Sequence, residues 1–156
     1  MKITIVFIGK TKADYLKEGI NEYLKRLKRY SQVSMELIPE LKFSKKAGID
    51  QVKKQEGDLI LKRVHPDDFL ILLDEGGELM DSLDFAVYLS KIESSRSKVK
   101  FVIGGAFGFS PEVYTRADAQ LSLSKLTFSH QMVRLIFVEQ LYRAFTILRG
   151  EPYHHK

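Results

Sequence analysis

Hydroxyl side chains and one histidine cluster in a short segment just ahead of a long apolar stretch. The members of this cluster are Ser122, Ser124, Thr127, Ser129 and His130. A loop of this kind leaves backbone N–H and C=O groups free, and these can recognise the edge of a flat polar ring. The serines lack a G-x-S-x-G context, so a nucleophilic hydrolase is not indicated. The pattern therefore predicts a binding loop.

Two charged pairs follow at helical spacing. His130 and Arg134 are four residues apart, and so are Glu139 and Arg143, with the acid first. The Glu139–Arg143 pair can be a helix salt bridge, which stabilises a free helix by only ~0.2–0.5 kcal/mol. A functional role for this pair is the alternative interpretation. Arg134 stands inside the apolar run MVRLIFV, where a buried guanidinium needs an anionic or carbonyl partner.

Three glycines follow a predicted strand in the stretch FVIGGAFGFS, residues 101–110. Their GGxxG spacing does not match the dinucleotide-binding fingerprint GxGxxG. The glycines also lie two-thirds along the chain, and no acidic residue follows about twenty residues later. No Gly-Lys-Ser/Thr follows, so a P-loop is not indicated either. Two interpretations remain: the glycines make tight turns, or a ligand lies against their bare backbone.

Strands and helices alternate along the chain and would position these segments. Apolar or alternating runs predict strands at 2–8, 33–38, 69–74, 100–105 and 119–124. Periodicity and cap signals predict helices from Asp14, over 49–60, from Ser82, from Ser110 before Pro111, and from His130 to a glycine cap at Gly150. The alternation predicts one α/β domain over 1–156, with a mostly parallel sheet and helices on both faces. The glycine pairs 76–77 and 104–105 end two strands and line one crevice if those strands are neighbours.

Composition narrows the functional class. The chain has no cysteine, and its adjacent tail histidines, His154 and His155, have no third ligand nearby, so no metal site is predicted. No apolar run approaches ~20 residues, and the short N-terminal one does not fit a signal peptide, so we expect a cytoplasmic protein. Residues 1–63 carry 15 Lys and Arg against 8 Asp and Glu, whereas residues 64–156 carry 10 against 12.

The basic excess has two interpretations, a solvated helix face or a nucleic-acid footprint. The cations cluster at Lys25, Arg26, Lys28 and Arg29, and again at Lys42, Lys45 and Lys46. The last helix is apolar on more than one face, which indicates either deep burial or a partner subunit.

Three segments in combination resemble the RlmH-type family of the SPOUT methyltransferase superfamily. They are FVIGGAFGFS, LSLSKLTFSHQMVRLIFVEQLYRAF and GEPYHHK, and the resemblance extends over essentially the whole chain. It implies an α/β fold with a C-terminal trefoil knot, a rare exception among protein folds. It further implies a homodimer that uses S-adenosyl-L-methionine to methylate N3 of a pseudouridine in 23S ribosomal RNA, within the assembled ribosome and without a metal.

The resemblance also implies residue roles. The expected cofactor contacts are Leu73, Gly104, Leu123, Ser124, Lys125, Leu126, Thr127 and Phe128. The expected catalytic or orienting residues are His130, Arg134, Arg143, Tyr153 and His154, with His155 as an alternative to His154. Two positions depart from the family pattern: Ser129 stands where a proline is usual, and Glu78 where a lysine is usual.

The implied reaction demands positioning, because a protonated imide nitrogen is a poor nucleophile. Correct orientation of two reactants can contribute up to ~7–11 kcal/mol to a rate enhancement. Two other classes remain as alternatives. One is a non-catalytic RNA-binding module whose active surface is the basic half, and the other is a generic nucleotide-binding enzyme, which the missing phosphate motifs disfavour.

Overall fold

A computed structural model describes residues 1–44 and 46–155 of the chain, so Lys45 of the second basic cluster lies outside the described residues. The strands are β1 (Lys2–Ile8), β2 (Gln32–Ile38), β3 (Phe69–Leu79), β4 (Lys98–Ile103) and β5 (Ala119–Ser122). The helices are α1 (Asp14–Leu27), α2 (Ile49–Leu61), α3 (Ser82–Ser95), α4 (Pro111–Arg116) and α5 (Met132–Leu148). The predicted alternation is confirmed, and no helix within the described ranges is long and apolar enough to span a bilayer.

The strands form one sheet in the order β2-β1-β4-β3-β5, and every neighbouring pair is parallel. Strands covered on both faces are expected to read as continuous apolar runs, as KITIVFI and FLILL do. The carboxyl ends of β4, β3 and β5 lie side by side, because β3 pairs with both of the others. The predicted parallel sheet is thus confirmed.

Two apolar layers cover the two faces of the sheet. On one face, α1, α3 and α5 bury a cluster that contains Phe7, Phe101 and Phe137. On the other face, α2 and α4 cover Leu72 and Phe109. Side chains alternate between the faces of each strand, so both layers are supplied by the same strands.

The structure differs from the sequence-based prediction along β3. This strand does not end at the glycine pair 76–77 but continues to Leu79, with a register shift between Leu73 and Glu78. Pairing with β5 resumes after the shift, so the glycines lie within an irregular strand. A Cβ on Gly77 would lie 2.6–2.7 Å from backbone atoms of β5, which explains why only glycine fits there.

Two predicted helix caps were wrong by one residue. Asp14 is the first residue of α1 and follows the N-cap residue Ala13. Ser82 is likewise the first residue of α3, whose N-cap Asp81 accepts a 2.8 Å hydrogen bond from the backbone N–H of Asp84. At α3 a carboxylate one position earlier caps as well as a hydroxyl, so the two candidates cannot be separated by residue type alone. At α1 the N-cap Ala13 makes no side-chain hydrogen bond, so no capping side chain marks that boundary.

The end of α5 confirms the predicted glycine cap. Gly150 has φ of +68°, and its N–H bonds the carbonyl of Ile147, while the N–H of Glu151 bonds that of Thr146. This is the Schellman arrangement, which turns the chain back on the helix. Tyr30 donates a 2.7 Å hydrogen bond to Glu151, so the tail is tied to the body of the protein and not frayed.

Candidate active site

A cavity of about 640 Å³ lies at the carboxyl ends of β4, β3 and β5. Its walls are residues 73–75, 103–109, Tyr114, Val133, and the segment from Leu121 to His130, with Lys125 outside the lining. Ligands of open parallel sheets bind at this edge. The expected crevice exists, but its walls include Gly104 and Gly105 and not the pair 76–77, because β3 continues through that pair.

The predicted cofactor residues meet in this cavity, with one exception. Those that line it are Leu73, Gly104, Leu123, Ser124, Leu126, Thr127 and Phe128. Two of the lining side chains are apolar yet exposed, Phe107 at 50% and Leu126 at 76%. Exposed apolar side chains at the mouth of a cavity indicate a surface that a ligand covers.

The serines of the 122–130 loop shape its backbone. Ser122 donates to the carbonyl of Ser124, and the hydroxyl of Ser124 accepts from the N–H of Leu126 at 2.9 Å. Ser129 accepts from the N–H of Met132 at 3.0 Å and so satisfies a donor at the start of α5. The hydroxyl cluster therefore builds the loop.

Gly104 is required by packing inside the chain. A Cβ at this position would lie 2.9 Å from two ring atoms of Phe109, a buried side chain that also lines the cavity. A Cβ on Gly105 would lie 3.0 Å from the carboxylate of Glu56. A substitution at Gly104 would therefore displace Phe109, a wall of the cavity, even without a ligand. Loss of ligand binding in such a variant would not by itself show that a ligand lies against the backbone of Gly104.

Arg134 is fully buried and lies away from the cavity lining. Its guanidinium donates to the carbonyl of Ile8 at 2.6 Å, to that of Gly9 at 2.9 Å, and to the hydroxyl of Thr11 at 3.1 Å. The carbonyl partners expected for a buried arginine are therefore present. Arg134 fixes the loop after β1 against the start of α5, one turn from His130, which lines the cavity.

The other predicted catalytic residues, Arg143, Tyr153 and His154, lie together in a second group. We call this group, with its hydrogen-bond partners Tyr23 and Glu139, the tail cluster. One carboxylate oxygen of Glu139 accepts from Arg143 at 2.5 Å and from the Tyr153 hydroxyl at 3.0 Å. The hydroxyls of Tyr23 and Tyr153 are 3.1 Å apart, and Arg143 reaches Nδ1 of His154 at 3.1 Å. Nε2 of His154 is buried without a hydrogen-bond partner among the described residues.

The tail cluster and the cavity lie at different positions along α5. Val133 lines the cavity, and Arg143 follows it ten residues later on the same helix. At ~1.5 Å per residue, these positions are about 15 Å apart along the axis. The candidate catalytic residues therefore lie in three places: His130 at the cavity, Arg134 buried away from its lining, and Arg143, Tyr153 and His154 in the tail cluster.

The chain resembles known proteins over its full length. A model of the family described as predicted SPOUT methyltransferase matches residues 1–154. Relatives named ribosomal RNA large subunit methyltransferase H, from Bacteroides thetaiotaomicron and Parabacteroides distasonis, are 51% and 52% identical, with 100% of both chains covered. The chain belongs to the SPOUT methyltransferase family. The family resemblance read from the three segments is therefore confirmed.

A solved structure shares the fold of this SPOUT methyltransferase. It is that of a probable methylase family protein from Haemophilus influenzae, with a TM-score of 0.54 and 14% identity. The match covers 99% of this chain and 70% of the other. At this identity the comparison concerns the fold alone, and it agrees with the α/β architecture described above.

Sequence reasoning about this SPOUT methyltransferase missed three polar residues of the cavity, Asp74, Glu75 and Tyr114. Tyr114 on α4 donates a 2.7 Å hydrogen bond to Asp74, and both line the cavity. Asp74 had a detectable signal, because it is the last residue of the buried strand predicted at 69–74. Tyr114 had none, since a tyrosine on a short helix is common. Within the described ranges no group of three His, Asp or Glu residues is placed to hold a metal ion.

Proposed function

We propose that the chain is a cytoplasmic, S-adenosylmethionine-dependent methyltransferase that methylates N3 of a pseudouridine in 23S ribosomal RNA. The observation that carries the proposal is the full-length similarity to proteins named ribosomal RNA large subunit methyltransferase H, with 51–52% sequence identity. The RlmH-type resemblance supplies the target atom. The basic surplus of residues 1–63 suits an RNA substrate, because phosphate contacts are made largely by Lys and Arg.

The cavity fits the proposed methyl donor. Its volume of about 640 Å³ lies within the range of ~300–1,000 Å³ usual for sites of small ligands. The loop backbone at 121–124 and 126–128 offers hydrogen bonds to an adenine edge, while Phe107 and Leu126 offer apolar cover. Asp74 and Glu75 add carboxylates, which favour a cation such as a sulfonium or an ammonium group. When bound, S-adenosylmethionine supplies the methyl group.

His130 is the group of this chain that we assign to the acceptor. Among the described residues it is the one imidazole in the cavity lining. A ring nitrogen there can orient the pseudouridine base or accept the proton that leaves N3. Arg134 acts behind it as a positioning residue, since its guanidinium is already engaged by carbonyls of the loop after β1.

A homodimer completes the site in this proposal. Arg143, which contacts His154, lies about 15 Å along α5 from Val133 at the cavity, so in this proposal the tail of the same protomer does not supply its side chains there. Met132 and Ile136 share a helical stripe with Glu139 and Arg143, and both apolar side chains are only half-buried. Such a stripe suits a second copy, whose tail would then bring Tyr153 and His154 to this cavity. We also infer that the C-terminal segment is threaded as the trefoil knot of the family.

Calorimetry with S-adenosylmethionine and a methylation assay on ribosomes from a strain lacking the enzyme test this proposal. We expect binding of the cofactor and formation of N3-methylpseudouridine in 23S rRNA. A protein that binds ribosomes but not S-adenosylmethionine at millimolar concentration would instead be the non-catalytic RNA-binding module.

Subunit mixing tests the shared site. We expect His130→Ala and His154→Ala each to be inactive as homodimers and to regain activity when mixed, because a mixed dimer then contains one site without either defect. If each subunit used its own tail, both sites of the mixed dimer would carry one defect and stay inactive. Mixing each variant with itself is the matched control.

A further inference from the structure

A second cavity, of about 300 Å³, lies between α1 and the edge strand β2. We call it the α1–β2 groove. Its floor is apolar and is formed by Phe7, Met35 and Leu37, while Lys10 and Lys17 stand in its lining. Met35 is 43% exposed, so its side chain is accessible to a ligand in the groove. The groove is separate from the cavity assigned to the methyl donor, and the two have no lining residue in common.

The charge around the groove favours an anionic ligand. Lys10 and Lys17 are both exposed, and the first 63 residues carry 15 cationic against 8 anionic side chains. The acid that pairs with Lys17 is Asp14, at 3.8 Å, and both side chains are largely exposed, so that pair is weak. An apolar floor beside exposed cations is suited to an unstacked nucleotide. Its base can lie on the apolar floor while its phosphate contacts the cations.

The groove is rigidly connected to the candidate active site. The Gln131 side chain accepts from the N–H of Lys12 at 2.9 Å and donates to the carbonyl of Lys10 at 3.2 Å. Arg134 holds the carbonyls of Ile8 and Gly9 in the same loop. Gln131 directly follows His130, so the loop that bears Lys10 is fixed against the turn that forms one wall of the cavity.

The distance between the two sites suits one RNA strand. The groove lies at β2 and β1, and the cavity begins at β4, two positions from β2 in the sheet. Neighbouring strands are about 4.8 Å apart, so the two sites are separated by roughly 10 Å at the same edge of the sheet. A strand that places its target base in the cavity can place a flanking nucleotide in the groove.

We propose that the α1–β2 groove binds an unstacked nucleotide of the ribosomal RNA that flanks the methylated base. The base of this nucleotide lies on Met35 and Leu37, and the flanking backbone phosphates contact Lys10 and Lys17. Gln131 and Arg134 are positioning residues, which keep this subsite in register with His130. The inference rests on the proposed rRNA substrate, and it assigns a specific surface of the chain to that RNA.

The first test measures binding of the double variant K10A/K17A to unmethylated ribosomes over a series of salt concentrations. We expect affinity to fall about tenfold, and the slope of log affinity against log salt to decrease by about 1.5, because two phosphate contacts are lost. Affinity for S-adenosylmethionine, measured separately, is expected to stay unchanged. K62A is the control, because Lys62 is also exposed but caps the end of α2 on the opposite face.

Two outcomes of this test separate the subsite from the function. In the first outcome, wild-type protein binds and methylates ribosomes, and K10A/K17A has the same ribosome affinity and salt slope as wild type. This outcome would overturn the groove proposal and leave the methyltransferase proposal intact. Wild-type protein that binds no ribosomes would overturn both.

The second test identifies the occupant of the groove. The chain contains no cysteine, so M35C introduces a single thiol that a photo-reactive cross-linker can occupy. We expect illumination with ribosomes to attach a nucleotide of 23S rRNA close to the methylated position. An adduct with a ribosomal protein, or with a second copy of this chain, would overturn the assignment of the groove to RNA.

Discussion

The hydroxyl of Tyr114 donates a 2.7 Å hydrogen bond to Oδ1 of Asp74, joining α4 to the end of the buried part of β3. Oδ2 of the same carboxylate accepts from the N–H of Gly76 at 3.0 Å. Both carboxylate oxygens are therefore held, and the wall of the cavity beside Leu73 is fixed in place. This bond makes a testable contribution to stability.

Replacing Tyr114 by phenylalanine is expected to destabilise the protein by about 1.5 kcal/mol near pH 8, because a hydrogen bond to a charged acceptor is lost. Burial, and then the bond to Asp74, raise the pKa of Tyr114 to about 12. A group whose pKa is raised on folding stabilises the folded state below its unfolded pKa of about 10, and this stabilisation is lost as the pH rises through about 12. Urea unfolding between pH 8 and 11.5 measures the effect.

The difference between wild type and Y114F isolates this contribution. Burial also raises the pKa of Tyr30 to about 12, so both proteins lose some stability at high pH. We expect the gap between the two to narrow above pH 10. Tyr15→Phe is the control, because that ring is 64% exposed. If the difference in unfolding free energy between wild type and Y114F stayed constant up to pH 11.5, folding would not raise the pKa of the Tyr114 hydroxyl.

Arg134→Met is expected to destabilise the protein by about 3 kcal/mol. Methionine fills much of the volume, but it leaves the buried carbonyls of Ile8 and Gly9 without their donor, at about 1–3 kcal/mol each. Urea unfolding at neutral pH measures the loss. The exposed Arg149, replaced in the same way, should change the unfolding free energy by about 0.5 kcal/mol or less. Equal effects of the two substitutions would mean that the carbonyls find other partners.

Much of this fold could be predicted from the sequence, because its signals are local. Runs such as KITIVFI identify buried strands, and parallel strands bring their carboxyl ends to one edge, which predicted the cavity around Gly104. Ser110 and Gly150 were correctly identified as capping residues, since each motif is complete within a few positions.

The remaining features depend on packing between distant segments. The continuation of β3 past Gly77 follows from pairing with β5, more than forty residues later, and no local pattern encodes it. The bond between Tyr114 and Asp74 likewise requires α4 to lie over the end of β3. The separation of the cavity wall at Val133 from Arg143 could have been recognised from the sequence, because ten residues of helix span about 15 Å.

Leu126→Ser is expected to weaken binding of S-adenosylmethionine about tenfold. The leucine is 76% exposed at the cavity, and covering it with a ligand is worth about 1.4 kcal/mol, which corresponds to that factor. Isothermal titration calorimetry measures the change. Leu83→Ser on α3 is the matched control, because this leucine is also exposed but lies outside the cavity lining. Unaltered affinity in Leu126→Ser would place the ligand away from this side chain.

Gly77→Ala is expected to destabilise the protein by about 3 kcal/mol. The added Cβ would lie 2.6–2.7 Å from backbone atoms of Gln120 and Leu121, so β3 and β5 must move apart. Backbone atoms cannot rotate away as a side-chain end can, which puts this substitution at the upper end of the cost of overpacking. Because β5 leads directly into the 122–130 loop, affinity for S-adenosylmethionine should fall together with stability. Thermal unfolding and calorimetry on the same samples measure both.

Gly48→Ala provides the comparison. At Gly48 no atom of the described residues lies within 4 Å of an added Cβ, and its φ of −73° suits any L-residue. Alanine is a poorer N-cap than glycine but reduces the entropy of the unfolded chain, so the two effects oppose each other and the net change should be about 1 kcal/mol or less. If Gly77→Ala were as mild as Gly48→Ala, β5 would not be held against β3 at the glycine. The irregular stretch from Leu73 to Glu78 would then be adaptable, and the loop after β5 would not depend on it.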